Sequence, residues 1–157
     1  MLNSIRVIAG VVLAASLGTA AYAHETAQEA ANKKLVLDYY AELGKPDQAQ
    51  RIAGIAERFV APNYIQHQEG AKNGRDALIK DFQGPRPGSK TMAPAKLIAI
   101  MAEGDKVIQV TSREVPDPAT GGTKPAYIWN MFRIENGKLA EHWDDVPTSI
   151  RPASTAK

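Results

Sequence analysis

The apolar period of this chain changes once, at Pro94, and no other feature of the sequence restricts its fold as much. Before Pro94, apolar side chains recur at three- and four-residue spacing, as in helices; after it they fall into short runs, as in strands. From Thr26 to Leu43 the apolar positions are Ala30, Leu35, Leu37, Tyr39, Tyr40 and Leu43, and Gly44 stands where a C-cap glycine is expected. Pro46-Asp47 is expected to open a second helix with proline in its first turn. The apolar stripe of that helix is Ile52, Ile55, Ala56, Phe59 and Val60, and Pro62 should end it. Tyr64–His67 reads as a short extended piece. Asn73-Gly74 turns the chain into a third, short helix from about Arg75 to Phe82, and Gly84-Pro85-Arg86-Pro87-Gly88 breaks it.

Beyond Pro94 four strands are expected: Ala95–Glu103, Lys106–Val115, Tyr127–Glu135 and Lys138–Val146, with residues 116–125 as a Pro/Gly-rich loop. Asn136-Gly137 between the last two is the strongest hairpin signal in the chain. Helices first and antiparallel hairpins afterwards define an α+β fold. The expected architecture is a curved antiparallel sheet wrapped around the N-terminal helices, with an internal pocket.

The register of the last hairpin decides which side chains meet. A two-residue turn pairs Ile134 with Leu139, bringing Trp129 near Asp144 and Asn130 near Trp143. A three-residue turn pairs Ile134 with Lys138. It sets Arg133 and Met131 on the face of Glu141, puts Trp129 opposite Trp143, and gathers Asn130, His142 and Asp144 on the other face. The second register is chemically more coherent, because it joins an ion pair to an aromatic pair on one face. On the other it sets three polar groups among Ile128, Phe132 and Ala140, the composition of a ligand pocket. The tryptophan-bearing face then needs a cover, which a second subunit would supply.

Residues 1–23 read as a secretory signal. Arg6 is the one charge, an apolar stretch runs from Val7 to about Leu17, and Ala21-Tyr22-Ala23 offers a small-x-small cleavage site. The apolar run is too short to span a bilayer. The chain is therefore expected to be periplasmic or secreted, cleaved after Ala23, and to meet a membrane through this leader alone. The domain should occupy 24–150, with 151–157 a flexible tail. With no cysteine there is no disulfide framework and no thiol nucleophile. A net charge of +2 without a basic run argues against a nucleic-acid partner. His67, Glu69 and His142 have the donor chemistry for zinc or iron, but no helix-spaced histidine pair or facial-triad spacing supports a metal site, and none is expected.

Three segments carry a family resemblance: the aromatic helix Leu35–Leu43, the piece Tyr64–His67 followed by Gly74, and the run Phe132–Asp144 (FRIENGKLAEHWD). Through them the chain resembles the SnoaL-like branch of the nuclear transport factor 2-like superfamily, including bacterial SnoaL-like aldol-condensation proteins and polyketide cyclases. The resemblance implies a cone-shaped α+β barrel with a deep pocket, a homodimer joined through its sheets, and no metal or organic cofactor. It also implies an aspartate as acid/base catalyst, two residues after the histidine of the final strand. That position is Asp144 here. A second polar position, often histidine in those cyclases, is Asn130 here; asparagine donates and accepts hydrogen bonds but does not shuttle protons near neutral pH.

The chemistry expected from these residues is cofactor-free acid–base catalysis, of aldol, cyclase or isomerase type, on an apolar carbonyl compound. Asp144 would be the base, its pKa raised by an apolar surrounding, and His142 would orient it or hydrogen-bond the ligand carbonyl. Asn130, His67, Tyr127 and Tyr40 would hold the ligand or the developing enolate oxygen, with Phe132 lining the pocket. The alternative from a different class is a non-catalytic periplasmic protein that binds a small apolar ligand. A homodimer through Trp129 and Trp143 fits both.

Overall fold

A computed structural model describes residues 24–68, 70–84 and 95–145. The expected leader, the cluster Pro85–Gly88 and the tail lie outside the described residues, as do Glu69 and Val146. In chain order the elements are α1 (Ala27–Leu43), α2 (Gln48–Phe59), β1 (Val60–Gln66), α3 (Arg75–Gln83), β2 (Lys96–Glu103), β3 (Lys106–Asp117), β4 (Gly122–Glu135) and β5 (Lys138–Asp145). The strands form one sheet in the order β1-β5-β4-β3-β2. It is mixed, because β1 runs parallel to β5 while all other pairs are antiparallel. The piece around Tyr64 is thus a full edge strand, longer than the sequence suggested.

Helix α1 starts at a reciprocal cap. Thr26 Oγ1 accepts from Glu29 N, and the Glu29 carboxylate accepts from Thr26 N, an arrangement worth about 1 kcal/mol. Glu29 also accepts from Gly104 N at 2.9 Å, and Asn32, buried, donates to Gly104 O at 3.0 Å. The start of α1 is thereby tied to the β2–β3 turn. Lys138 Nζ donates to the Glu57 and Arg58 carbonyls. It satisfies acceptors that the last turn of α2 leaves open and docks the β4–β5 hairpin there.

Several local expectations change. Gly44 follows α1 in a right-handed conformation (φ −76), so its lack of a side chain is not what ends the helix. Asp47 caps α2 at φ 58, a left-handed conformation aspartate tolerates, and Pro46 therefore lies ahead of the helix instead of in its first turn. Val60, expected on the helix stripe, already leaves α2 in extended backbone (φ −112, ψ 136), and Pro62 holds the next residue, Ala61, extended as well. The expected 116–125 loop shrinks to a turn, with β3 and β4 paired out to Asp117 and Gly122. Asp117 holds that turn with its carboxylate, which accepts from Ala119 N and Thr120 Oγ1.

The core lies between the helices and one face of the sheet. Val36 and Tyr39 of α1, Ile52, Ile55, Ala56 and Phe59 of α2, and Tyr64 of β1 pack on Val107, Phe132, Ile134 and Leu139. The three tyrosine and phenylalanine rings meet edge-on, Tyr39–Phe132 at 6.5 Å and Tyr40–Phe132 at 6.1 Å between centroids.

The β4–β5 register combines features of both alternatives. Asn136 (φ 51) and Gly137 (φ 69) form a two-residue left-handed turn, pairing Ile134 with Leu139. One residue later a bulge absorbs an extra residue, and Arg133 pairs with Glu141. Leu139 and Ala140 are accordingly both buried. Beyond the bulge the faces are those expected of the three-residue turn, but shifted by two positions. Trp129 stands opposite Asp145, and Met131 opposite Trp143.

Candidate functional site

Two rows of side chains cross the helix-covered face of the sheet. Directly paired residues of neighbouring strands project to the same side. One row is Val107–Phe132–His142–Gln66, running over β3, β4, β5 and β1. The next is Gln109–Asn130–Asp144. Asn130, His142 and Asp144 therefore share one face, with Gln109 and Gln66 beside them.

His142 is the best-fixed group there. It is 9% exposed and stacks on the Phe132 ring at 4.3 Å, nearly parallel at 4°. Its Nδ1 lies 3.1 Å from Gln66 Nε2, and its Nε2 lies 3.0 Å from Asn130 Oδ1. The Gln66 amide donates to Nδ1, which leaves Nε2–H to donate to Asn130. Such a ring is neutral, and burial depresses its pKa to about 3. With both nitrogens engaged by amides, His142 has no hydrogen left to orient Asp144, contrary to the role expected of it. It orients Asn130 instead. The bond to Oδ1 turns the Asn130 Nδ2 hydrogens away from His142, and among the described residues they have no acceptor.

Asp144 is half-buried, and its Oδ1 is sealed from solvent. Tyr40 of α1 and Tyr64 of β1 lie near enough for its charge to act on their hydroxyls. Burial first, then the neighbouring tyrosine hydroxyls and the Asp144 carboxylate, push both phenols well above their ordinary range. Both remain neutral O–H donors at any physiological pH. Arg113, on the same side of β3, acts on Tyr40 in the opposite sense. Phe132 is fully buried and backs His142.

Two expected ligand-holding residues lie elsewhere. His67 follows Gln66, and strand alternation sends it to the opposite face. There it bonds Glu141 at 2.9 Å and stacks on Trp143 at 4.3 Å. Glu141 also accepts from Arg133 Nε at 2.6 Å. Its carboxylate is held below the usual range by His67 first and Arg133 next. His67 and His142 thus face opposite sides of the sheet, and no cluster of three metal-ligating side chains forms among the described residues. Tyr127 has the parity of Trp129 and is 52% exposed on that same outer face. Gln66, Gln109 and Tyr64 were missed. Gln66 and His67 compete for one inward position, and the sequence does not say which takes it.

Beside the Arg133–Glu141–His67 cluster the outer face carries an open apolar patch. Trp129 is 54% exposed and Met101 53%, with Met131, Ile108 and Trp143 half-buried around them. A cavity of about 480 Å³ opens between β1, the loop after it and α3, lined by Tyr64, Gln66, Leu78 and two lysines among others.

No curated protein matches this chain in sequence. Among solved structures it is similar in fold to a candidate SnoaL-like polyketide cyclase from Jannaschia sp. CCS1. That match has 16% identity and TM-score 0.59, over 78% of this chain and 90% of that one. It also resembles an NTF2-like protein of unknown function from Burkholderia pseudomallei, at 17% identity and TM-score 0.52, over 73% and 89% of the two chains. A third similar structure is an LEH-like epoxide hydrolase from M. tuberculosis, at 11% identity and TM-score 0.52, over 74% and 83%. Identities this low show a shared backbone, not a shared reaction. The SnoaL-like domain model matches residues 36–142, which takes in most of the described core and both cross-sheet rows except Asp144, just beyond its end; the chain has an NTF2-like fold and belongs to the SnoaL-like domain family.

Proposed function

We propose that this chain is a cofactor-free acid–base enzyme acting on a carbonyl compound bound against the helix-covered face of the sheet, with Asp144 as the base. The observation that carries the reading is the Gln109–Asn130–Asp144 row. It sets a carboxylate with one sealed oxygen directly beside an asparagine whose N–H donors are aimed by a neutral histidine. In that reading Asp144 takes a proton alpha to the carbonyl. The electron pair moves to the carbonyl oxygen, and Asn130 Nδ2 with the Tyr40 hydroxyl stabilises the resulting enolate. The enolate carbon then attacks a second carbonyl, or is reprotonated at another carbon, and Asp144 returns the proton. His142 moves no proton; it holds Asn130.

A second reading is a ligand-binding protein without turnover. It is favoured by the amide-locked, neutral His142, which leaves the site without a histidine to share proton transfer with Asp144. Export through residues 1–23, and a homodimer over the Trp129 and Trp143 face, belong to both proposals.

One experiment separates them. The small molecule that co-purifies with the chain is identified by mass spectrometry and then supplied to the wild type and to Asp144→Asn. An enzyme loses turnover by at least about a hundredfold in Asp144→Asn, with affinity kept within about threefold. A binder turns nothing over in either form.

A further inference from the structure

The cavity between β1 and α3 has a composition of its own. Tyr64, buried, and Leu78 give it an apolar wall, and Gln66 stands at its junction with the cross-sheet rows. The Gln66 amide has two ends. Nε2 is committed to His142, whereas Oε1 is buried and has no hydrogen-bond partner among the described residues. An acceptor left so costs about 1–3 kcal/mol, which a donor brought by a ligand would recover. Lys72 from the loop and Lys80 from α3 line the same cavity. Lys33, Lys34, Lys45, Lys106 and Lys124 each have a carboxylate partner, but Lys72 and Lys80 have none among the described residues. Asp81 also lines the space, so these three charged side chains leave an excess of one positive charge. The volume, about 480 Å³, is that of a small-molecule site.

We propose that this cavity binds a small hydroxy acid. Its carboxylate is held by Lys72 and Lys80, its hydroxyl donates to Gln66 Oε1, and its hydrocarbon body lies on Leu78 and Tyr64. Charge-assisted bonds to the lysines supply most of the selectivity. The Gln66–His142–Asn130 chain of hydrogen bonds joins this cavity to the Asp144 row, so occupancy is felt at both ring nitrogens of His142. The inference goes beyond the acid–base reading and does not need Asp144.

The test is calorimetric and NMR titration of the purified chain with mandelate, 3-hydroxyphenylacetate and 4-hydroxyphenylacetate, each beside its methyl ester. The three acids place the hydroxyl at increasing distance from the carboxylate. At least one acid should bind about tenfold tighter than its ester and shift the Gln66 side-chain amide and the residues 71–81. Lys72→Met with Lys80→Met should bring that acid down to the affinity of its ester without changing the ester. Asp144→Asn should leave the affinity of the acid unchanged, so that failure of the catalytic proposal and failure of this one give different results. The proposal is overturned if no acid outbinds its ester, if none saturates by about 10 mM, or if the shifted resonances lie away from Gln66 and α3.

Discussion

His142 and Asn130 are joined by a 3.0 Å hydrogen bond from Nε2 to Oδ1, across the diagonal of an antiparallel pair. The bond runs from an imidazole that stays neutral to an amide whose remaining hydrogens are free to meet a ligand. It converts a histidine, the residue type most often given proton work, into a fixed support.

That support is pH-sensitive in one direction. The His142 pKa falls from the ordinary 6.5 to about 3 on folding, because burial penalises the cation. The unfolded chain therefore binds a proton that the native chain refuses. The stability this contributes is full above pH 6.5 and is lost as the pH falls toward 3, at up to about 1.4 kcal/mol per pH unit. Urea denaturation at pH 7.5 and pH 5 should show the loss, and His142→Gln should reduce it. An NMR titration in which the His142 ring ionises near pH 6.5 would refute the assignment.

Asn130→Ala removes the acceptor for Nε2–H inside a buried site, where Asn130 is 6% and His142 9% exposed. An orphaned donor of this kind costs about 1–3 kcal/mol. Equilibrium urea unfolding measures it. Gln66→Ala, at a half-buried position, should cost less, because water can reach the ring nitrogen it vacates.

The order of helices and strands was legible because the apolar period and the Asn136-Gly137 signal are local properties. Which face a residue takes was legible only where alternation is unbroken. Tyr127 shares the parity of Trp129, and alternation alone sends it to the outer face. The bulge after Leu139 leaves no local mark in the sequence; Leu-Ala-Glu-His reads as regular strand. The bulge keeps Asn130, His142 and Asp144 together although the turn has two residues. The inward choice between Gln66 and His67 depends on pairing β1 with β5, strands more than seventy residues apart, and on Trp143 offering His67 a stacking partner outside.

Gly137 adopts φ 69 in the turn that begins β5, and no neighbouring atom crowds a side chain there. Backbone conformation is thus the whole penalty of Gly137→Ala, about 1–2 kcal/mol. Thermal unfolding should show a lower midpoint. Gly54→Ala, in α2 with open space around it and no positive φ, should raise the midpoint, because alanine stabilises a helix interior by about 1 kcal/mol relative to glycine.

Trp129→Glu tests the outer face. Trp129 is 54%, Tyr127 52% and Met101 53% exposed, and contiguous apolar surface of this kind normally has a partner. With its side chain in solvent, Trp129 contributes little to the fold of one subunit, so glutamate there should leave the monomer folded. In a dimer closed by a two-fold axis each substitution acts twice, burying a carboxylate from each subunit against an apolar face. Light scattering coupled to size exclusion should give a dimer for the wild type and a monomer for Trp129→Glu, with circular dichroism unchanged. A wild-type monomer, or a variant that remains dimeric, would show that the subunits do not meet through this face.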